Sequence, residues 1–580
     1  MKSILLGDDV LEKPIFLSPE QREAHMHVIG SSGSGKSKFL ESLIREDVRN
    51  RQGFCLIDPH GTLYRDVLNY CAFHVLERDI ILLDLSRPDN IVGFNPFSKQ
   101  AEGDVSVQVD RRIGATMHAW GVANADDTPT LERTLRLIYT TLIERGLSFH
   151  QAQYLIDFNS RKLRQTLIDQ LTSPLIRREW AELQQLRARD WRSEVLSAKN
   201  RLFRLLTSQT LAKFFSASDS VLNIQEIIEQ GRILLVNLAP SDYLSAENAR
   251  VFGSLLVNEI FEVARRRTSP SGKKLKPFYL YPDEFQTFVS LDITAMLDQV
   301  RKYKVFTILA HQRFGQLDED LMDAVITNCR IKAVFGGLPY EAAKMMAQEL
   351  FINELDAEKI KVAIYQTKFW PVYSRDRVYT TSRSAGRSSG RGDNLALGSS
   401  SSYVAGEYFR PGDWFSDDVT VGTSLTATDA SSSVQGQHTS ETIFEGDAEG
   451  EADVPIFVPV PFRELSSIQF YSHDEQLTEL TAALKEQFTR HCFIKIHEQK
   501  TQPMRVPFIR AFHISEESCA EYQETLMRRS GAIPAAEVER AMAIQDSELV
   551  ASASPTAPDA APRTDNENPP AGWRDIIGRE

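Results

Sequence analysis

The sequence predicts an α/β protein with a mainly parallel sheet, an all-helical insertion and a low-complexity segment towards the carboxyl terminus. Short apolar stretches alternate with amphipathic ones before residue 104 and again over 226–373, which is typical of strand–helix–strand units. Between 104 and 225 the strand pattern stops, and apolar residues recur at helical spacing. Over 374–454 Ser, Thr, Gly and Asp dominate, as they do in segments that form no core.

A chain of 580 residues is too long for a single compact core. We therefore predict one sheet domain assembled from three separate stretches of sequence, with two insertions and a tail. In chain order the segments are the first half of the sheet domain (1–103), the all-α insertion (104–225), the second half (226–373), a largely disordered Ser/Thr/Gly-rich insertion (374–454), a strand and helix that complete the sheet domain (455–515), and an acidic tail that is partner-facing or disordered (516–580).

Composition narrows the class of protein further. No run of 18 or more apolar residues occurs, and the first residues lack the basic start and apolar core of a signal peptide. We therefore expect a cytoplasmic protein without a transmembrane segment. The net charge of −13 provides no general attraction to nucleic acid, so DNA binding would need local positive charge, such as a lined pore. The five cysteines lack metal-binding spacing and are expected to be free thiols.

A complete G-x-x-x-x-G-K-S motif lies between a short apolar stretch and an amphipathic one. Its glycines let the backbone fold around a phosphate chain, so that backbone N–H groups and the start of the next helix meet the negative charge. Lys36 is predicted to reach the β- and γ-phosphates, and the Ser37 hydroxyl to bind Mg²⁺. The predicted nucleotide-binding residues are Gly30, Ser31, Ser32, Gly33, Ser34, Gly35, Lys36, Ser37 and Lys38.

Two carboxylates, Asp283 and Glu284, end the apolar stretch that begins at Phe278. Asp283 is predicted to hold Mg²⁺, directly or through water, and Glu284 to polarise the attacking water. An Asp-Glu pair is a weak signal alone, and its position in a sheet that already contains the glycine-rich motif strengthens it. No N-K-x-D motif for reading guanine is present, so the expected cofactors are ATP and Mg²⁺.

Two more candidates flank the apolar stretch Val305–Ala310. Gln312, after it, is predicted to sense the γ-phosphate and orient water; the alternative is an ordinary polar loop residue. Arg301, before it, is predicted to act as an arginine finger in a neighbouring subunit's site, if the subunits form a ring. The alternative for Arg301 is a helix-end arginine that complements the helix dipole. Arg330 is the second choice for the finger.

For two features, the sequence is compatible with both a functional and a purely structural role. The loop after the predicted strand ending at Asp58 lies where ligand crevices form, so Asp58 either supports Mg²⁺ and the catalytic water or only shapes a turn. A basic stretch in the helical insertion is either a solvated helix face or a track for nucleic acid. Its basic residues are Arg161, Lys162, Arg164, Arg177, Arg178, Arg187, Arg189, Arg192, Lys199, Arg201 and Arg204.

These motifs, in this order, resemble the FtsK–HerA superfamily, especially the conjugative coupling ATPases of type IV secretion (TraG/TraD-like) and their soluble HerA-like relatives. The resemblance covers about residues 20–370, with a weaker match over Gln469–Ile509. The matching segments are His27–Ser37, Ile57–Gly61, Gly93–Phe97, Asp283–Gln286, Arg301–Tyr303 and Ala310–Gln312.

The resemblance implies a RecA-like P-loop NTPase sheet, and hexameric rings in which ATP hydrolysis drives DNA through a central channel. It implies phosphate and Mg²⁺ binding by Lys36 and Ser37, Walker B roles for Asp283 and Glu284, a finger in trans from Arg301 and a sensor at Gln312. Coupling proteins usually carry membrane helices, which have no counterpart in this sequence. We therefore expect a homo-hexameric DNA motor that works with a partner protein, such as a nuclease, a relaxase or an anti-phage effector.

Two other functions remain open at this stage. One is an assembly scaffold, in which ATP binding organises a partner effector with little translocation of DNA. The other is a soluble coupling protein that passes DNA to a type IV secretion channel.

Overall fold

The computed structural model describes residues 2–76, 78–99, 103–122, 128–216, 222–267, 274–288, 297, 299–317, 319–384, 393–408, 422–437 and 446–552. Its strands are β1 (Ile4–Asp8), β2 (Pro14–Leu17), β3 (Met26–Ile29), β4 (Gly53–Asp58), β5 (Ile80–Asp84), β6 (Asn90–Ile91), β7 (Ile233–Asn237), β8 (Phe278–Pro282), β9 (Val305–His311), β10 (Ile331–Phe335), β11 (Ile360–Ser384), β12 (Asp393–Tyr408), β13 (Gly422–Gln437), β14 (Gly446–Phe470), β15 (His491–Ile496), β16 (Gln502–Arg505) and β17 (Ile533–Pro534).

The α-helices of the described residues alternate with these strands in the sheet domain and run consecutively in the insertion. They are α1 (Pro19–Arg22), α2 (Lys36–Arg49), α3 (Thr62–Phe73), α4 (Val105–Ala119), α5 (Pro129–Arg145), α6 (Ala152–Ile156), α7 (Arg161–Asp169), α8 (Pro174–Gln185), α9 (Ala188–Leu206), α10 (Gln209–Phe215), α11 (Ile224–Gln230), α12 (Ala246–Arg266), α13 (Glu319–Asn328), α14 (Tyr340–Phe351), α15 (His473–Lys485), α16 (Glu516–Arg529) and α17 (Ala535–Ser552).

An eleven-stranded sheet has the order β2-β1-β16-β15-β10-β3-β9-β8-β4-β7-β5. The seven strands from β10 to β5 are parallel to one another. The other four extend the sheet in antiparallel fashion. The loops after β3, β4, β8 and β9 therefore open at one edge of the parallel sheet, which we call the carboxyl edge, and the segments before these strands lie at the opposite, amino edge.

Both faces of the sheet are covered, which confirms the predicted α/β class with an all-α insertion. One face packs with α2 and α3, and its core includes Phe39, Leu43 and Val67. The other face shares a continuous core with the insertion, including Trp180 and Trp191. Burial on both faces explains why the parallel strands are uniformly apolar.

The antiparallel edge strands β1 and β2 were not predicted from the sequence. In β2, Ile15 and Leu17 are buried while Pro14 and Phe16 are exposed, which is the alternation of a half-covered strand. Four residues give too short a pattern to recognise without its partner strand.

The disorder predicted for 374–454 differs from what the described part of that segment forms. Strand β11 pairs with β14 in an antiparallel ribbon, and β12 pairs with β13 in a second one. The low apolar content of this segment gives little strand signal in the sequence.

The prediction of a tail from residue 516 onwards is wrong for residues 516–552. Helix α16 buries Leu526, and its Tyr522 hydroxyl donates to the Leu76 carbonyl at 3.0 Å. Helix α17 docks on the insertion through Lys213–Glu539 at 2.7 Å and His150–Asp546 at 3.0 Å. Helices α16 and α17 pack against the rest of the protein through few large apolar residues. Their amino-acid composition therefore resembles that of a tail.

Across the described residues, no helix is both long enough and apolar enough to cross a membrane. All five cysteines are free thiols, as predicted.

Candidate nucleotide-binding site

The glycine-rich motif forms the loop between β3 and α2 at the carboxyl edge. Gly33 and Gly35 take positive φ angles of 77° and 114°, a region that side chains with a Cβ rarely adopt. Gly35 also begins α2, and no side chain caps that helix start. The first N–H groups of α2 therefore lack a side-chain acceptor, which is the arrangement that a phosphate satisfies.

Lys36 folds back over the loop. Its ammonium donates to the carbonyls of Gly30 at 2.6 Å and Ser31 at 3.0 Å. Burial lowers the pKa of Lys36, while Glu284 and Asp283 act in the opposite direction. A buried cation held only by carbonyl oxygens is poised to receive an anion.

The other motif residues divide into two groups. Ser32, Gly33 and Ser37 are exposed, so the Ser37 hydroxyl is accessible to a metal ion. Lys38 is exposed too, but its ammonium is bound by Glu41 at 2.8 Å and Asp66 at 2.7 Å. The structure therefore does not bring the Lys38 side chain to the loop, and only its backbone remains a candidate contact.

The loop is held between two segments that are distant in sequence. A Cβ placed on Gly337 would lie 2.1 Å from Ser31 Oγ, so the chain after β10 touches the loop closely. On the other side, the Arg490 N–H donates to the Ser34 carbonyl at 2.8 Å, and a Cβ on Gly35 would lie 3.1 Å from the Arg490 backbone. Sequence reasoning missed Arg490; the weak family match over 469–509 was its only signal.

Strand β9 lies between β3 and β8, so Gln312 stands between the glycine-rich loop and the two carboxylates. The Gln312 amide donates to one carboxylate oxygen of Glu284, and the Gln286 amide donates to the other at 2.7 Å. Glu284 has a φ of 49°, which turns the chain sharply after β8. The predicted sensor, Gln312, and the predicted base, Glu284, are thus in direct contact. Gln286 is a second orienting residue, and no separate role was predicted for it.

Asp283 is buried beside Glu284. Burial, with the nearby charges of Asp58 and Glu284, raises the pKa of Asp283 to about 7. Because Asp58 and Glu284 lie near Asp283, a bound cation would reduce the electrostatic repulsion among the three carboxylates. The described residues contain no preformed cluster of three metal-ligating side chains, so Mg²⁺ held here would need oxygen ligands from phosphate or water.

Asp58 has a structural role that the sequence left open. Its two carboxylate oxygens accept from the backbone N–H groups of His60 and Tyr64, both at 2.8 Å. Tyr64 lies in the first turn of α3, whose own first residue is preceded by Gly61 without a side-chain cap. Asp58 therefore caps α3 and, from that fixed position, adds negative charge beside Asp283.

A buried histidine pair lies below the site. His27 Nε2 and His311 Nε2 are 2.7 Å apart, and the rings stack. His311 Nδ1 faces the Arg313 carbonyl at 3.3 Å, so Nδ1 carries the proton and Nε2 accepts from His27. Burial lowers the pKa of His311 to about 4 and that of His27 well below its ordinary value. This neutral pair ties the strand before the glycine-rich loop to the strand before Gln312.

Arg301 lies at the amino edge, in a short 3₁₀ turn before β9. A seven-residue strand separates it from Gln312, a length of about 23 Å. Burial and the nearby charge of Arg330 lower the pKa of Arg301. The two candidate fingers are therefore neighbours at the same edge, and neither lies at this chain's own glycine-rich loop.

Buried His25 fixes the segment that carries Arg301. Its Nδ1 accepts from the Thr307 N–H at 2.9 Å, and its Nε2 donates to the Leu297 carbonyl at 3.0 Å. Both ring nitrogens are thereby assigned, with the proton on Nε2. His25 links β3, β9 and the turn before Arg301, a role with no sequence signal.

The basic stretch of the insertion is largely on the surface, with two exceptions. Arg164 is buried, stacks 4.2 Å over Trp191 and donates to the Asp157 carbonyl at 2.7 Å, so it is a core residue. Arg201 is half-buried beside Trp120. The remaining nine basic side chains of the stretch are exposed.

Known proteins are similar to this chain at two levels. A family model described as the TraM recognition site of TraD and TraG matches residues 277–351, which contain β8, β9 and β10. Among curated proteins, none matches the chain in sequence.

Several solved structures are similar in shape. The unbound bacterial conjugative coupling protein TrwBΔN70 has a TM-score of 0.49 and 12% identity over 88% of this chain and 90% of that chain. TrwB with a non-hydrolysable ATP analogue has a TM-score of 0.43 and 15% identity over 60% and 78%. VirB4 of Thermoanaerobacter pseudethanolicus has a TM-score of 0.40 and 11% identity over 62% and 89%.

The segment matched by the family model contains Asp283, Glu284, Arg301 and Gln312. The matched segment lies within the parallel sheet, with the glycine-rich loop beside it. Over this segment the chain resembles TraD and TraG.

Proposed function

We propose that the chain hydrolyses ATP and, as a homo-hexameric ring, uses that hydrolysis to move DNA through a central channel together with a partner protein. The observation that carries the proposal is the contact between Gln312 and Glu284 beside the loop of Lys36. Three stretches far apart in sequence converge there, with the residue types that phosphoryl transfer needs.

The roles follow from the contacts. The uncapped start of α2 and the Lys36 ammonium bind the phosphates, and Ser37 with Asp283 holds Mg²⁺, which neutralises phosphate charge. Glu284 takes the proton of the attacking water. Its carboxylate is oriented by the amides of Gln312 and Gln286.

Hydrolysis in this scheme needs a second copy of the chain. Arg301 lies at the amino edge, about a strand length from the carboxyl edge, so it serves the site of a neighbour. The basic side chains of the insertion supply a surface for the DNA backbone in spite of the net charge of −13. The match to a recognition site of TraD and TraG supports a protein partner.

Steady-state ATPase activity, measured with and without linear duplex and single-stranded DNA, tests the proposal. Several-fold stimulation by one form of DNA, absent in Lys36→Ala, is expected. Hydrolysis that no DNA stimulates would reject the DNA motor and favour the scaffold that organises a partner. Absence of any hydrolysis dependent on Lys36 would reject the enzyme itself.

A further inference from the structure

A two-stranded ribbon leaves the sheet domain between α14 and α15. We call "the ribbon" the segments Ile360–Tyr373 of β11 and Phe457–Phe470 of β14, which pair with each other and, among the described residues, with no other strand. Large apolar side chains are exposed along its length, up to 65% at Trp370 and 74% at Tyr373. An isolated two-stranded ribbon is marginally stable in water, and a patch this apolar is usually covered.

The ribbon has two unlike faces. Directly opposed residues share a face, so the register divides the side chains into two sets. Face A carries an aromatic contact between Trp370 and Phe462, with ring centroids 6.2 Å apart, next to the Lys368–Glu464 ion pair. The exposed residues of face A are Gln366, Lys368, Trp370, Val372, Val460, Phe462 and Glu464.

Face B is formed by the intervening positions and is more apolar. The exposed residues of face B are Tyr365, Thr367, Phe369, Pro371, Tyr373, Pro459, Pro461, Arg463 and Leu465. Three of these are prolines, and Pro371 lies directly opposite Pro459. Proline offers no N–H to another strand, so it disfavours sheet extension at the ribbon's edges. The ribbon is therefore suited to contact through its faces.

We propose that the ribbon is a contact between copies of this chain, in which face B of one copy packs on face A of the next. This inference rests on the proposed ring. A two-fold dimer would cover one face of each ribbon and leave the other in water. A ring gives every copy two neighbours, so it covers both faces, and a head-to-tail contact between unlike faces is the kind that closes into a ring.

The size and charge of the faces fit that occupant. Each face offers four large apolar side chains that are between 39% and 74% exposed. At roughly half of the 150–250 Å² of a whole aromatic side chain, the four bury on the order of 300–500 Å², so the ribbon supplies about half of one side of a standard interface. The charged residues differ between the faces, with an ion pair on face A and Arg463 on face B. A contact of face B with itself would bring two like charges together, whereas face A presents the carboxylate of Glu464.

Two substitutions in the full-length chain separate the faces. Trp370→Asp disables face A, and Phe369→Asp, one residue away, disables face B. Leu175→Asp in α8, where Leu175 is 56% exposed, is the matched control. Mass photometry with ATP, Mg²⁺ and duplex DNA gives the oligomeric state, and nucleotide affinity verifies that each variant is folded.

Each ribbon variant alone is expected to need a roughly 30-fold or higher concentration for half-assembly, because central aromatic residues dominate interfaces. The control is expected to assemble as the unaltered chain does. An equimolar mixture of the two variants retains one intact A–B contact per pair and is expected to give heterodimers.

Other outcomes would overturn the inference in distinguishable ways. Rings that form equally well in all variants would reject the ribbon contact and leave the ring intact. An unaltered chain that stays monomeric in all conditions would reject the ring and the ribbon contact together. Face-A variants that still dimerise would show a self-complementary face B. Flotation on anionic lipid vesicles that depends on Phe369 and Trp370, with no change in mass, would identify a lipid surface instead.

Discussion

The two edges of the parallel sheet differ in how complete they are. At the carboxyl edge, Lys36, Glu284 and Gln312 come from three strands and are already held by hydrogen bonds within one chain. At the amino edge, the half-buried Arg301 is flanked by Arg330, and the surroundings supply more positive than negative charge. The carboxyl edge thus has its candidate phosphate-binding and base residues in place. The amino edge instead offers a cation, Arg301, with no candidate nucleotide site of its own chain beside it among the described residues.

From this difference between the two edges, we expect a complete catalytic site to form only at an interface between two copies of the chain. In the proposed mechanism, phosphate binding and water activation use groups of the carboxyl edge only, whereas charge stabilisation in the transition state uses the amino edge of another copy.

The largest effect is expected from Arg301→Ala. Loss of a finger should lower kcat about 10³-fold while nucleotide affinity stays unchanged, because Arg301 lies away from its own loop. Arg330→Ala is the matched control at the same edge and is expected to cost much less. Mixing Arg301→Ala with Glu284→Gln should restore activity at interfaces that combine two intact edges. Assembled mixtures without any rescue would contradict a finger in trans.

Glu284→Gln is expected to lower kcat by about 10²-fold or more and to trap bound ATP, because the amide cannot accept the proton of water. Glu319→Gln, at an exposed position in the first turn of α13, is the control. Turnover near that of the unaltered chain would show that Glu284 is not the base. Equilibrium binding and single-turnover hydrolysis, measured side by side, separate affinity from chemistry.

A smaller effect is expected from Gly337→Ala, which presses on the glycine-rich loop from outside. Its Cβ would lie 2.1 Å from Ser31 Oγ, at a φ of 77°. Gly146→Ala also has a positive φ, 63°, but meets nothing within 4 Å. Both carry backbone strain of order 1–3 kcal/mol, so their difference isolates the push on Ser31. About tenfold weaker nucleotide binding is expected for Gly337→Ala only; equal affinities would mean that the loop yields freely.

Activity at neutral pH is expected to change least in the last prediction, which concerns how stability depends on pH. The pKa of His25 is lowered to about 4 by burial, as is that of His311, whereas unfolded histidine titrates near 6.5. Between these values the unfolded chain binds more protons, so stability is present above about pH 6.5 and is lost as pH falls towards 4. Each histidine contributes up to about 1.4 kcal/mol per pH unit. Urea unfolding of His25→Gln should show a shallower loss on acidification than the unaltered chain; identical slopes would mean that His25 is protonated when folded.

Sequence patterns could place the candidate residues of the carboxyl edge at strand ends, because these residues follow largely apolar strands and a glycine-rich motif. The strand predicted to end at Asp58 does end there. The contact between Gln312 and Glu284 could be expected only in outline, since the strand order that places β9 beside β8 has no local signature.

The parts that the sequence missed depend on distant partners. His25 and Arg490 act through contacts with segments hundreds of residues away. Gln286 bonds Glu284, two residues before it, but only the sharp turn after β8 brings their side chains together. Helix α17 was mistaken for a tail because its apolar stripe is short and sparse, with Val538 as its one buried member among the described residues. Polar pairs such as His150 with Asp546 add to that contact. A contact between two segments that are distant in sequence produces no periodic pattern of apolar residues in either segment.

Helix α15 connects the ribbon to the glycine-rich loop. Strand β14 ends at Phe470, and α15 follows as a rod about 20 Å long. At the far end of the rod, the Lys485 carbonyl accepts from the Gly337 N–H at 3.0 Å, and the Arg490 N–H donates to Ser34 at 2.8 Å. A neighbouring copy that moves the ribbon would therefore act, through α15, on the residues that contact both sides of the glycine-rich loop.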